Sequence, residues 1–124
     1  EEFSHEEMLE MANELSEFTK RHVILKGYQN ENNEMGMMVL DKKDFSLDIV
    51  YNDKVDYMSH GTGDVFASSF VGSTMSGKSP TSAAKIAGEL TKKSIEKTID
   101  DPSHNYGVKF EQVIPYIYEL LKSI

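Results

Sequence analysis

The side chains best placed to do chemistry gather in one run, Ser59-His60-Gly61-Thr62-Gly63-Asp64-Val65-Phe66-Ala67-Ser68-Ser69-Phe70, where two glycines frame a threonine just before a carboxylate. Gly61 and Gly63 lack a Cβ, so the backbone there can bend and aim several N–H groups at one anion. An amphipathic helix follows, and its start adds unpaired N–H groups and the positive end of a dipole. Asp64 can take a proton from an attacking hydroxyl while the amides steady the charge on a transferred phosphoryl group. The chemistry this pattern suits is phosphoryl transfer. A plainer role for Asp64, a helix N-cap, calls on the same carboxylate and is compatible with it.

A second glycine signature competes. Gly72-Ser73-Thr74-Met75-Ser76-Gly77-Lys78-Ser79 satisfies the P-loop pattern. A P-loop needs a strand before it and a later apolar strand ending in Asp to hold magnesium. Everything after Ser79 reads as helix, loop and helix, so that strand is missing. The preferred reading is a turn between helices, with Gly77 closing one and Ser79 capping the next.

The elements that must position these residues follow from pattern. Ser4-His5-Glu6-Glu7 is a capping box, with Phe3 and Met8 as an apolar staple. Met8, Leu9, Ala12, Leu15 and Phe18 continue at helical spacing toward Lys20 and Arg21. Val23-Ile24-Leu25 reads as a short buried strand ending at Lys26-Gly27. Residues Met35 to Leu40 and Phe45 to Tyr51 form an antiparallel hairpin across Asp41-Lys42-Lys43-Asp44, with Phe45, Leu47, Ile49 and Tyr51 on the buried face. The methionines Met35, Met37 and Met38 are adaptable core filler. Beyond the glycine run, one helix buries Val65, Phe66, Ser69, Phe70 and Ser73. A second spans Pro80 to Ile99, with proline in its first turn. A last helix runs from Glu111 to Lys122, with Ile114, Ile117, Tyr118 and Leu121 inward. Pro115 falls at its first turn, where proline is tolerated.

Composition narrows the classes. At 124 residues and 39% apolar content the chain suits a single compact domain. With no cysteine, disulfides, thiolate zinc sites and cysteine nucleophiles are excluded. His5, His22, His60 and His104 make no metal-ligand spacing. A net charge of −8 repels a phosphate backbone, which argues against nucleic acid as a partner. No apolar stretch reaches the roughly 18 residues needed to span a bilayer, and no leader opens the chain; a soluble cytoplasmic protein is expected.

The run from Ser59 to Ser68 resembles the catalytic signature of the ribokinase-like superfamily, and within it looks most like the pyridoxal (vitamin B6) kinases. The order of helix, Val-Ile-Leu-Lys strand, hairpin, glycine loop and three helices is similar to the C-terminal part of their three-layer α/β/α fold. Phosphomethylpyrimidine kinases share this plan but commonly carry Cys where Asp64 stands. The resemblance implies that Asp64 is the base for a hydroxymethyl group attacking the γ-phosphate of ATP. Gly61, Thr62 and Gly63 would form the anion hole. Lys26 and Gly27 would lie on the nucleotide phosphates, and Val55, Met58 and His60 would border the nucleotide. For Lys26 a solvated strand-end lysine is the alternative, for Val55 and Met58 ordinary core positions, and for His60 a loop-ordering hydrogen bond. Magnesium would accompany ATP, with no metal ligand assigned here. Such kinases carry their substrate-binding residues, lid and an Asn-x-x-Glu motif on an N-terminal portion. Asn13-Glu14-Leu15-Ser16-Glu17, inside a helix, is no substitute. Residues 1–124 are therefore expected to be one partial domain, the nucleotide-side half of a kinase that is homodimeric when full-length. Alone it should have negligible turnover. Two other readings are a related small-molecule kinase and a nucleotide-binding module without chemistry.

Overall fold

The capping box at Ser4 opens the first element. The computed structural model describes residues 3–19, 21–30, 32, 34–43, 46–53, 60–104 and 107–124. In it the Ser4 hydroxyl accepts the Glu7 N–H at 3.2 Å, and the Glu7 carboxylate accepts the Ser4 N–H at 2.8 Å. Helix α1 (His5–Ser16) follows and buries Met8 and Ala12, one turn apart. It is capped at Glu17, short of the basic pair expected at its end. Phe18 thus falls in a turn, off the apolar stripe, and is 86% exposed. The chain divides into two compact units, Glu1–Asp53 and Lys54–Ile124.

In the first unit, β1 (His22–Gln29), β2 (Glu34–Asp41) and β3 (Ser46–Asp53) form an antiparallel sheet in that order. Ala12 of α1 joins Val23 and Leu40 in a core flanked by Leu25 and Leu47. Strand β2 is central and buried from Gly36 to Leu40, so Met37 and Met38 are both covered although they point to opposite faces. The same arrangement corrects the expected alternation of β3. Val50, which alternates with the face expected to be buried, pairs across the ladder with Met37 and is itself buried. Phe45 lies outside the described residues.

Strand β1 also outruns its expected end. Gly27 takes a positive φ of 97°, and the register shifts between Lys26 and Tyr28. The glycine absorbs a bulge and pairing resumes. Tyr28 then lies opposite Gly36, where an added Cβ would come within 2.7 Å of the Tyr28 ring and 3.1 Å of the Tyr51 ring.

The second unit is helical: α2 (Thr62–Met75), α3 (Pro80–Thr98) and α4 (Ile114–Ser123), with 3-10 turns at Pro102–His104 and Phe110–Gln112. Helix α3 opens on Ser79, whose hydroxyl accepts the Ser82 N–H at 3.2 Å, with Pro80 in the first turn. Ala83, Ala84 and Ala87 are fully buried, and their small side chains let α2 and α3 approach closely. The last helix departs from expectation. Val113, between the 3-10 turn and the helix, is buried instead, while Ile114 and Tyr118 are exposed at 50% and 66%.

Candidate functional site

Gly61 occupies the N-cap of α2 with φ 87°, a left-handed conformation that a side chain would resist. The first helical bond runs from the Val65 N–H to the Gly61 carbonyl at 3.0 Å. The N–H groups of Thr62, Gly63 and Asp64 precede it, and helix geometry leaves them no carbonyl of their own. No side chain caps them from Gly61. Gly63 differs from Gly61. Its φ is not positive, and an added Cβ would meet nothing within 4 Å. One glycine of the pair is therefore required by backbone conformation; the other has open space where a side chain would stand.

Asp64 is the third residue of α2 rather than its cap, exposed in the first turn, where the helix dipole favours a negative charge. It lines a cavity of about 450 Å³ together with His60, Gly61, Val65, Ser68, Gly107, Val108 and Phe110. Among these described residues Asp64 is the acidic one. Thr62, at the first helical position, is half-buried.

The far wall of the cavity is held by hydrogen bonds and an ion pair that sequence reasoning missed. The Val108 N–H donates to the His60 carbonyl at 3.2 Å, tying residues 107–109 to the residue before Gly61. The His104 ring nitrogen Nδ1 lies 2.7 Å from the Gly107 carbonyl. The Lys109 N–H donates to Thr98 Oγ1 at 2.8 Å, and the Lys109 ammonium pairs with Asp101. Hydrogen bonds from Lys109 first, then Ser103, hold the Asp101 carboxyl at about 2, well below the usual carboxylate range. Nothing in the local sequence marks Thr98 or Val108, because their partners are distant in the chain.

The P-loop look-alike is settled by its own amides. Residues Gly72 to Met75 are helical, and the N–H groups of Ser76, Gly77 and Lys78 donate to the carbonyls of Gly72, Thr74 and Ser73 at 3.0–3.1 Å. Amides closed in a helix terminus cannot cradle phosphate. Gly77, at φ 93°, ends α2 and Ser79 starts α3.

Lys26 and Gly27 belong to the first unit, at the bulge of β1, where desolvation by the surrounding chain lowers the Lys26 ammonium below its ordinary value. Val55 and Met58 lie outside the described residues. No group of three or more His, Asp or Glu side chains converges among the described residues. Magnesium in phosphoryl-transfer sites rests on one or two carboxylates plus substrate phosphates, and Asp64 is the carboxylate of this cavity.

Solved structures similar to the chain place these elements in a known frame. A Bacteroides thetaiotaomicron protein assigned as a phosphomethylpyrimidine kinase matches with TM-score 0.81 at 23% identity, over 96% of this chain and 40% of that one. Its orthorhombic form with pyridoxal matches with TM-score 0.80 at 24% identity, over 96% and 42%. Pyridoxal kinase from Lactobacillus plantarum matches with TM-score 0.66 at 16% identity, over 82% and 35%. The fold is ribokinase-like, and the chain spans about two-fifths of the length of these structures. Residues 2–109 match the family model of phosphomethylpyrimidine kinase, and the chain belongs to that family. Comparison with curated proteins gives no match. Among the described residues no helix is long and apolar enough to cross a membrane.

Proposed function

We propose that the protein carrying this chain phosphorylates the hydroxymethyl group of a vitamin B6 vitamer (pyridoxal, pyridoxine or pyridoxamine) with ATP. The observation that carries the reading is the left-handed Gly61 opening α2, with three amides free of helical partners and Asp64 beside them on an open cavity. Asp64 accepts the proton of the substrate hydroxyl. The resulting oxygen nucleophile forms a bond to the γ-phosphorus as the bond to the β-phosphate oxygen breaks, and ADP leaves. The N–H groups of Thr62, Gly63 and Asp64 donate to the phosphoryl oxygens, where donors already in place stabilise charge most effectively. Magnesium bound with the nucleotide would neutralise phosphate charge. Lys26 and Gly27 would meet the nucleotide phosphates, with Val55, Met58 and His60 at its border.

The family match and the Bacteroides relative favour a second reading, in which the acceptor is a hydroxymethylpyrimidine or its phosphate. The structure solved with pyridoxal and the Lactobacillus enzyme support the first. The test is substrate profiling of the full-length protein with ATP and each acceptor in turn. A kcat/KM for a B6 vitamer at least tenfold above that for the pyrimidines is expected. The reverse order would transfer the function to the pyrimidine reading, and nucleotide binding without turnover on any acceptor would leave only a binding module.

A further inference from the structure

Thr98 is fully buried at the end of α3 and carries bonds in two directions. Its hydroxyl donates to the Ser94 carbonyl at 2.7 Å and accepts the Lys109 N–H at 2.8 Å. Lys109 is further fixed by its ion pair with Asp101, and the neighbouring Val108 N–H holds the His60 carbonyl, one residue before the left-handed Gly61. A continuous path therefore runs from the body of α3 to the turn that aims the amides of α2. The Cγ2 methyl of Val108 completes it, standing 4.0 Å from where a Cβ on Gly61 would lie.

The geometry points to Thr98 as a positioning residue for the Gly61–Asp64 anion cradle, acting through Lys109 and Val108. The inference rests on the reading of that turn as the phosphoryl site. Thr98 touches no reacting atom; it sets where the His60 carbonyl, and hence the turn, is held. A displacement of the amides by a fraction of an ångström weakens their bonds to the transferring group without removing the base.

The test compares Thr98→Val, which keeps the side-chain shape and deletes both hydrogen bonds, with Thr98→Ser, which restores the hydroxyl. In the full-length protein Thr98→Val should lower kcat by roughly tenfold with the acceptor KM unchanged, and Thr98→Ser should recover most of the rate. Hydrogen exchange gives a readout independent of turnover: the Val108 and Val65 amides should exchange faster in Thr98→Val while those of mid-α3 do not. Unchanged kcat, failure of serine to rescue, or exchange accelerated equally along α3 would overturn the proposal. If Thr98→Val does not fold, Thr98→Cys, whose thiol is a weaker donor and acceptor than the hydroxyl, carries the same two readouts, with a smaller loss of rate. A wild-type protein inactive on every acceptor would sink the kinase reading, while the exchange pattern would still decide whether the clamp exists.

Discussion

At the scale of single residues, the two glycines of the cradle make separable predictions. Gly61 holds φ 87°, so Gly61→Ala forces a side chain into a conformation it resists. A loss of about 1 kcal/mol or more in unfolding free energy is expected, together with loss of activity. Gly63 has no such strain and open space before it. Gly63→Ala should therefore leave the melting temperature within a degree or two and still cut phosphorylation, because the new methyl group occupies the approach of the anion. Equal stability losses in the two variants, read by thermal unfolding, would contradict this division. Asp64→Asn should lower kcat by at least 10²-fold with nucleotide affinity retained, the mark of a lost proton acceptor. Calorimetry with a non-hydrolysable ATP analogue, beside the rate, checks both halves of that statement. Lys78→Ala should change neither, since its turn has no amides to offer.

At the scale of elements, the helices were legible in the chain because their ends are written locally. Ser4 and Glu7, Ser79 and Pro80, and Gly77 each carry a cap that depends on neighbours within a few residues. What lay hidden was decided across the sheet or across the cavity. Val50 alternates with the face expected to be buried and is itself buried, paired with Met37. The stretch Lys26-Gly27 reads as a strand end, and a bulge carries β1 past it. The cavity wall from Gly107 to Phe110 was hidden as well, since no local signal says that Val108 returns to His60. The clasp between Asp101 and Lys109 also has a pH signature. The folded carboxyl sits at about 2, below its ordinary value of 3.8, so its contribution to stability is present above about pH 4 and fades as the pH falls toward 2. Lys109→Met should lower the urea midpoint at pH 6, with the gap from wild type narrowing as pH drops through that window. A gap that stays constant with pH would show that Asp101 does not depend on Lys109.

At the scale of the whole molecule, the argument turns on how much of a kinase these elements supply. The second unit presents donors, a carboxylate and a cavity, while the sheet of the first unit has three strands among the described residues. The structures it resembles are more than twice as long. Phosphoryl transfer depends on holding nucleophile and phosphate in line. A cradle that grips only the transferred group gives the acceptor no fixed pose. The 124 residues produced alone should accordingly show negligible ATP-dependent turnover, even where the full-length protein reaches the roughly 1–100 per second usual for kinases. A coupled ADP-release assay on both, with pyridoxal as acceptor, measures the difference directly. Turnover by the 124 residues within tenfold of the full-length rate would mean that the acceptor is positioned by groups already present here, and that the division of labour proposed between this chain and the remainder of the protein is wrong.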